Sequence, residues 1–285
     1  MKRFSKQHGA KLAVLGLAFG LVLAGCSGTS GTSFTGTASK GPVENAQVTV
    51  YELNSDGSRG DQLGATVTGS DGSYTVSVDS AAGAVEVVVS GGSYEDEATG
   101  ETVQLGEQEQ LRSMVTEVNQ GDEVAVTALT EIAAEHANEN AEDGLNTAIE
   151  QAKQQVAEEF GLDQAGGDFD ISEVQPDDLT QQGPASGQSA DYGAVLAGIS
   201  QRIQEAKSNG TDVSASDVPT LVKDMAKDFG NDGEFDAESA EGALNTALDI
   251  TPKQAKEGLQ EAMENFMESD RNETHVRMSD LSLSF

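Results

Sequence analysis

The apolar positions of this chain change their period near residue 127. Before it, short runs recur every second residue. Val48, Val50 and Leu53 follow Gly41-Pro42, and Tyr74, Val76 and Val78 alternate strictly. Residues 85–89 form a more continuous apolar run. Turn chemistry separates the runs at Asn54-Ser55-Asp56-Gly57, Gly69-Ser70-Asp71-Gly72, Ala82-Gly83 and Gly91-Gly92. Further strands are predicted at 66–68, 102–105, 111–118 and 123–126. Many short strands at regular spacing, sharing one inner face, predict a β-sandwich.

From Thr127 the period becomes helical. Leu129, Ile132, Ala133, His136 and Ala137 mark a first helix with Thr127 as its N-cap. Leu145, Ile149, Ala152, Val156 and Phe160 mark a second, stopped by Gly161. Residues 161–188, rich in Gly, Gln, Asp and Pro, read as a long connection. Tyr192, Val195, Leu196, Ile199 and Ile203 give a third helix. Ser216 or Asp217 caps a fourth, through Leu221, Val222, Met225 and Phe229. Ala243, Leu244, Ala247 and Leu248 suggest a fifth. Thr251-Pro252-Lys253-Gln254 is a capping box with proline in the first turn, opening a sixth helix through Leu259, Met263 and Phe266. Narrow, alanine-rich stripes predict a small bundle. Residues 276–285 read as a terminal strand or tail.

The N-terminus carries a different signal. Lys2, Arg3, Lys6 and Lys11 precede an apolar run at 12–23, too short for a helix across a bilayer of ~30 Å. It ends in Leu23-Ala24-Gly25-Cys26, which holds the only cysteine of the chain. This pattern resembles the lipobox of bacterial lipoproteins. The resemblance implies acylation of Cys26 and removal of residues 1–25. Ser27, rather than Asp, after that cysteine implies the bacterial outer membrane by the same likeness. Residues 27–33 are Ser, Gly and Thr only, the composition of a flexible tether.

Charge narrows the partners. Without residues 1–25 the chain has 12 basic against 49 acidic residues, a formal −37. Such a balance excludes nucleic acid as a partner, because that binding rests on cations neutralising phosphates. It also argues against lying flat on an anionic membrane, so the partners expected are the membrane, through the lipid, and an unidentified protein or glycan. Acids spread along the whole chain fit a saline medium, where screening is short-ranged.

Gly36-Thr37-Ala38-Ser39-Lys40-Gly41-Pro42-Val43, Ala46-Gln47-Val48-Thr49-Val50, Gly64-Ala65-Thr66-Val67-Thr68 and Asp71-Gly72-Ser73-Tyr74-Thr75-Val76 together resemble the carboxypeptidase-regulatory-like domain. That family is a transthyretin-like sandwich, akin to the Cna-B-like repeats of bacterial surface adhesins. The resemblance implies a non-catalytic spacer or binding module. Adhesin repeats often join a lysine to an asparagine. Lys40 is the lone lysine of this half, but no matching acid-bearing signature follows it.

The fold expected is therefore α+β: an N-terminal transthyretin-like antiparallel β-sandwich, then a small α-helical bundle. The divisions are a signal peptide at 1–25, acylated cysteine and tether at 26–33, sandwich at 34–127, helical domain at 128–270 and tail at 271–285. No cofactor is implied. His136 and Glu139 match the His-x-x-Glu spacing of zinc carboxypeptidases, with His275 downstream, but His136 lies on an apolar helix stripe where a core histidine is expected. Asp228, Asp232 and Asp236 match part of a calcium loop, yet Ser239 stands where a bidentate glutamate is needed. The function expected is a membrane-anchored, non-enzymatic structural, adhesion or binding module on the cell surface. The alternatives are a metal-dependent hydrolase or calcium-binding protein using His136, Glu139 or the acidic loops, and a periplasm-facing assembly factor.

Overall fold

A computed structural model describes residues 31–78, 83–106, 109–163, 169–239, 242–243, 246 and 248–284. Its strands and helices make an α+β protein with antiparallel sheets. The first part holds β1 (Thr32–Ser39), β2 (Gln47–Leu53), β3 (Arg59–Val67), β4 (Ser73–Val78) and β5 (Val85–Ser90). Next come β6 (Ser93–Glu95), β7 (Thr102–Gln104), β8 (Gln110–Val115) and β9 (Val126–Thr127). A four-stranded sheet runs β3-β2-β5-β8, and a three-stranded sheet runs β4-β1-β9, with β9 parallel to β1. The strands β6 and β7 form a separate hairpin.

Register explains the patterns. Val48 faces Val89 and Val50 faces Val87, while Val89 faces Leu111 and Val85 faces Val115, so these residues share one buried face. The other face of β5 carries Glu86 and Val88, also buried, opposite Met114 and Arg112. A central strand covered on both sides reads as a continuous apolar run, which is why 85–89 lacks clean alternation. In the second sheet Phe34 pairs with Val76 and Gly36 with Tyr74. The Tyr74 hydroxyl donates to the Val124 carbonyl at 2.6 Å. A Cβ on Gly36 would sit 1.9 Å from that same carbonyl oxygen, so only glycine lets the chains close.

The helices are α1 (Ala128–Glu139), α2 (Leu145–Glu159), α3 (Gly187–Ser208) and α4 (Val218–Asp232). After the short pair β10 (Glu238–Ser239) and β11 (Gly242–Ala243) come α5 (Pro252–Glu257) and α6 (Leu259–Met267). Thr127 caps α1 as its position predicts: its Oγ accepts from the Leu129 and Thr130 N–H groups, and Thr130 Oγ accepts from the Thr127 N–H. The same Thr127 hydroxyl lies 2.6 Å from the Tyr192 hydroxyl, which fixes the start of α1 to α3. The Thr251–Gln254 box is formed reciprocally, with Pro252 in the first turn.

Several expected boundaries move. The strand β1 begins at Thr32, inside the Ser/Gly/Thr run read as tether. Near 123–126, Glu123 makes a single parallel bridge to Thr35, and the strand proper is Val126–Thr127. Asp217, one of the two expected caps, stands at the N-cap of α4, but its side chain makes no cap bond there; instead it forms a capping box with Ser214 across the preceding 3-10 turn. Ala243, expected in a fifth helix, lies in β11, while Leu244 and Ala247 fall outside the described residues. The sixth helix is broken at Gly258 into α5 and α6. No strand forms between residues 271 and 284. Leu281 and Leu283 are half-buried against the core, the Ser282 N–H donates to Asp191, and the Ser284 N–H donates to the Gly161 carbonyl.

One hydrophobic core runs across residue 127, from Phe34 and Val87 through Leu129 and Ile149 to Phe266. Charge spans it as well. The buried Lys40 ammonium, just after β1, is 3.1 Å from Glu97, 2.5 Å from the Ser200 hydroxyl and 3.4 Å from the Leu196 carbonyl, the last two on α3. Glu97 also accepts the Gly41 N–H at 2.8 Å and the Ser200 hydroxyl at 2.6 Å. On the outer face of β5, Glu86 binds Arg59, and Arg112 binds Glu131 and Glu135 of α1 at 2.7 and 2.6 Å. Acidic partners outweigh burial at Arg112 and raise its pKa. Burial raises that of Glu131, against the pull of Arg112.

Removing one member of a buried pair leaves the other charged in the core. Lys40→Ala is expected to lower unfolding free energy by about 3–5 kcal/mol in urea titrations at neutral pH, and Lys40→Met with Glu97→Leu to recover most of it. A Lys40→Ala loss within error of zero would show that the pair bears no load.

Candidate functional site

The structure does not assemble the predicted metal residues. His136 is buried on α1, its Nδ1 3.3 Å from the Gly230 carbonyl and its ring 5.1 Å from that of Phe229. Glu139 and His275 are exposed. Among the described residues no group of three or more His, Cys, Asp or Glu side chains is placed to hold a metal ion. Cys26 lies outside the described residues.

The acidic motif is helical where a calcium loop would have to be open. Asp228 is inside α4, one turn before its end, and Gly233 stops the helix in the left-handed conformation. Asp232 accepts the Glu234 N–H at 3.1 Å and Asp236 the Glu238 N–H at 2.9 Å, so both fold their own turns. Asp228 is fully buried. One oxygen accepts the Ala237 N–H at 3.2 Å, and the other has no hydrogen-bond partner. Burial pushes this carboxyl up to about 6, with the charge of Asp236 adding to the effect and the Ala237 N–H opposing it.

A polar cleft lies elsewhere. It encloses about 530 Å³ between the strand-to-strand segment 115–124, α2 and the segment after it. Lys153 of α2 is buried at its floor, 2.6 Å from Asp170 and 2.9 Å from Glu150. The second Asp170 oxygen accepts both the N–H and the hydroxyl of Ser172, at 2.7 and 2.6 Å, so this carboxylate is held at both ends. Asp170 raises the pKa of Glu173, and partial burial adds to it. At Lys153 the carboxylates outweigh burial and raise the pKa. Glu117, Asp122 and Glu123 complete the rim. On the other side of Lys153 a second hollow of about 420 Å³ continues past Gln151, Gln154 and Phe169.

Chemically this is a polar trough with fixed acceptors and one sequestered ammonium. It suits ligands that offer hydroxyl or ammonium donors, with Val115 and Val124 in the cleft and Phe169 in the adjoining hollow as its apolar contacts among the described residues. Sequence reading passed over Lys153 because it falls among the polar positions of α2, and Asp170 because it lies in the long connection. The Asp-x-Ser pair at 170 and 172 was the available signal, a local turn motif that occurs wherever chains bend.

No family model matches this chain, and no curated protein matches it. Among solved structures it has a likeness to the crystal structure of a 9R-lipoxygenase from Cyanothece PCC8801, at 15% identity over 42% of this chain and 24% of that one, with a TM-score of 0.19. A likeness that slight carries no argument about fold or activity.

The raised carboxyl of Asp228 gives a signed prediction. Its native pKa lies above the ordinary value of 3.8, so the native state gains stability as pH falls and loses it as pH rises through about 6. Asp228→Asn removes that dependence. It is expected to stabilise the protein by on the order of 1–3 kcal/mol at pH 7.5 and to give little gain at pH 4, read from paired denaturation curves. An equal effect at both values would assign the change to packing instead.

Proposed function

We propose that this chain is a bacterial outer-membrane lipoprotein, anchored through acylated Cys26, whose body is a non-enzymatic surface module that binds a protein or glycan. The first strand carries this reading: β1 opens six residues after Cys26. Six residues span at most about 21 Å when fully extended, so the lipid holds the body close to the bilayer. The start of β1 is also tied to the rim of the Lys153 cleft. The Ser33 N–H donates to Gln120, the Gly121 N–H to the Ser33 carbonyl, and the Thr35 N–H to the Asp122 carbonyl. The polar trough is thereby presented near the anchored end, where it meets components of the same envelope.

The two sheets are read as facing layers of a transthyretin-like sandwich, supported by Phe34 and Val76 of one sheet and Val48 and Val87 of the other sharing one core. The helices are read as a bundle packed on its open side, supported by Arg112 of β8 binding α1.

Metabolic labelling with a palmitate analogue tests the anchor. The wild-type chain is expected to take the label, partition into detergent and yield a mature N-terminus at Cys26, and Cys26→Ser to do none of these. A wild-type chain that stays unlabelled sinks the proposal. Protease treatment of whole cells then separates an outward-facing body, which is digested, from a periplasmic one, which is spared.

A further inference from the structure

We propose a second binding site, for an acidic sugar unit carrying carboxylate or sulfate, in the cleft between β8 and α4. It stands apart from the Lys153 trough and does not depend on the lipid anchor. The cleft encloses about 480 Å³, the size of a small-ligand site. Residues 26–285 hold 12 cations, and four of them, Arg59, Arg112, Lys223 and Lys227, line this one hollow. In a chain so dominated by acid, that concentration sets the place apart.

The two lysines are exposed, one helical turn apart on α4, and neither has an ion pair or hydrogen bond among the described residues. The two arginines opposite are held in place from behind. Arg59 is bound by Glu86 and Gln110, and the Arg112 fork is bound by Glu131 and Glu135. Acids also line the cleft, but they are engaged. Glu131 is taken by Arg112, Glu109 accepts the Gly106 N–H at 2.7 Å, and Asp224 is buried. Among the described lining residues, the cations left to meet a ligand are therefore the two ammonium groups.

The floor is apolar: Leu105, Leu111 and Val222 are each buried beneath the charged rim. An anion with an apolar side, rather than a free inorganic ion, matches a rim of cations over such a floor. A uronic or sulfated sugar ring has that form, with its C–H face turned down and its acid group turned to the lysines. Cations, not stacked aromatic rings, then do the recognition, consistent with a chain that has no tryptophan.

The test is calorimetry of the full chain with a galacturonate tetrasaccharide at about 0.15 M salt, where screening over ~8 Å removes most long-range repulsion. A neutral glucose tetrasaccharide and a hexaglutamate peptide serve as comparison probes. Lys223→Ala with Lys227→Ala is expected to weaken galacturonate binding at least about tenfold, the loss of two charge-assisted contacts. Lys207→Ala with Lys253→Ala makes the same charge change at two other exposed lysines that have no ion pair or hydrogen bond among the described residues, and is expected to bind as wild type. All four residues are exposed, so folding should survive, and melting curves check it. Equal losses in both double variants, or no wild-type binding to galacturonate, would overturn the site. Equal binding of hexaglutamate would overturn its assignment to a sugar.

Discussion

The buried Lys40 ammonium is the constraint that joins the two halves of this protein. An ammonium in an apolar interior must be met by an opposite charge and by acceptors for its protons. Here the charge comes from Glu97, just after the β6 strand, and the acceptors from Ser200 and Leu196 on α3. Three remote segments must therefore reach one point. Arg271 binds Glu95 and the Glu97 carbonyl from outside, so the C-terminal segment closes over the same place.

A second charged seam runs along the outer face of the four-stranded sheet. Glu86 would be an error in the middle of β5 if that face met only apolar side chains. With Arg59 and Arg112 beside it, and Glu131 and Glu135 beyond, the seam alternates in sign. Basic residues are scarce in this chain, and many are spent on such pairs. Against that background, four of them gathered around one hollow, Arg59 and Arg112 on the sheet side and Lys223 and Lys227 on α4, are a distinct feature.

Most of the elements were legible because their causes are local. Strict alternation at Tyr74, Val76 and Val78, the Thr127 cap and the Thr251–Gln254 box each depend on a few adjacent residues, and each appears where expected. The misses have longer-range causes. Thr32 and Ser33 look like tether, yet β4 offers them a partner at Val78 and Ser77. Lys40 looks like a turn residue, and its burial is decided by a serine 160 positions away. The polar trough escaped notice for the same reason: Lys153 and Asp170 lie on separate segments, and neither has a sequence signal that points to the other. His136 was legible in its bland role, an imidazole on an apolar stripe that packs against Phe229.

The parallel pairing of β1 with β9 bears on how the molecule acquires its structure. The strand β1 is completed on one side by Val126 and Thr127, and Lys40 just after it is held by residues of α3. Nothing near β1 in the chain can substitute for them. Such distant closures must overcome the entropy of long loops before any contact rewards it, which slows folding. Until α3 arrives, Lys40 remains a hydrated, mobile cation, and the β half has an open flank.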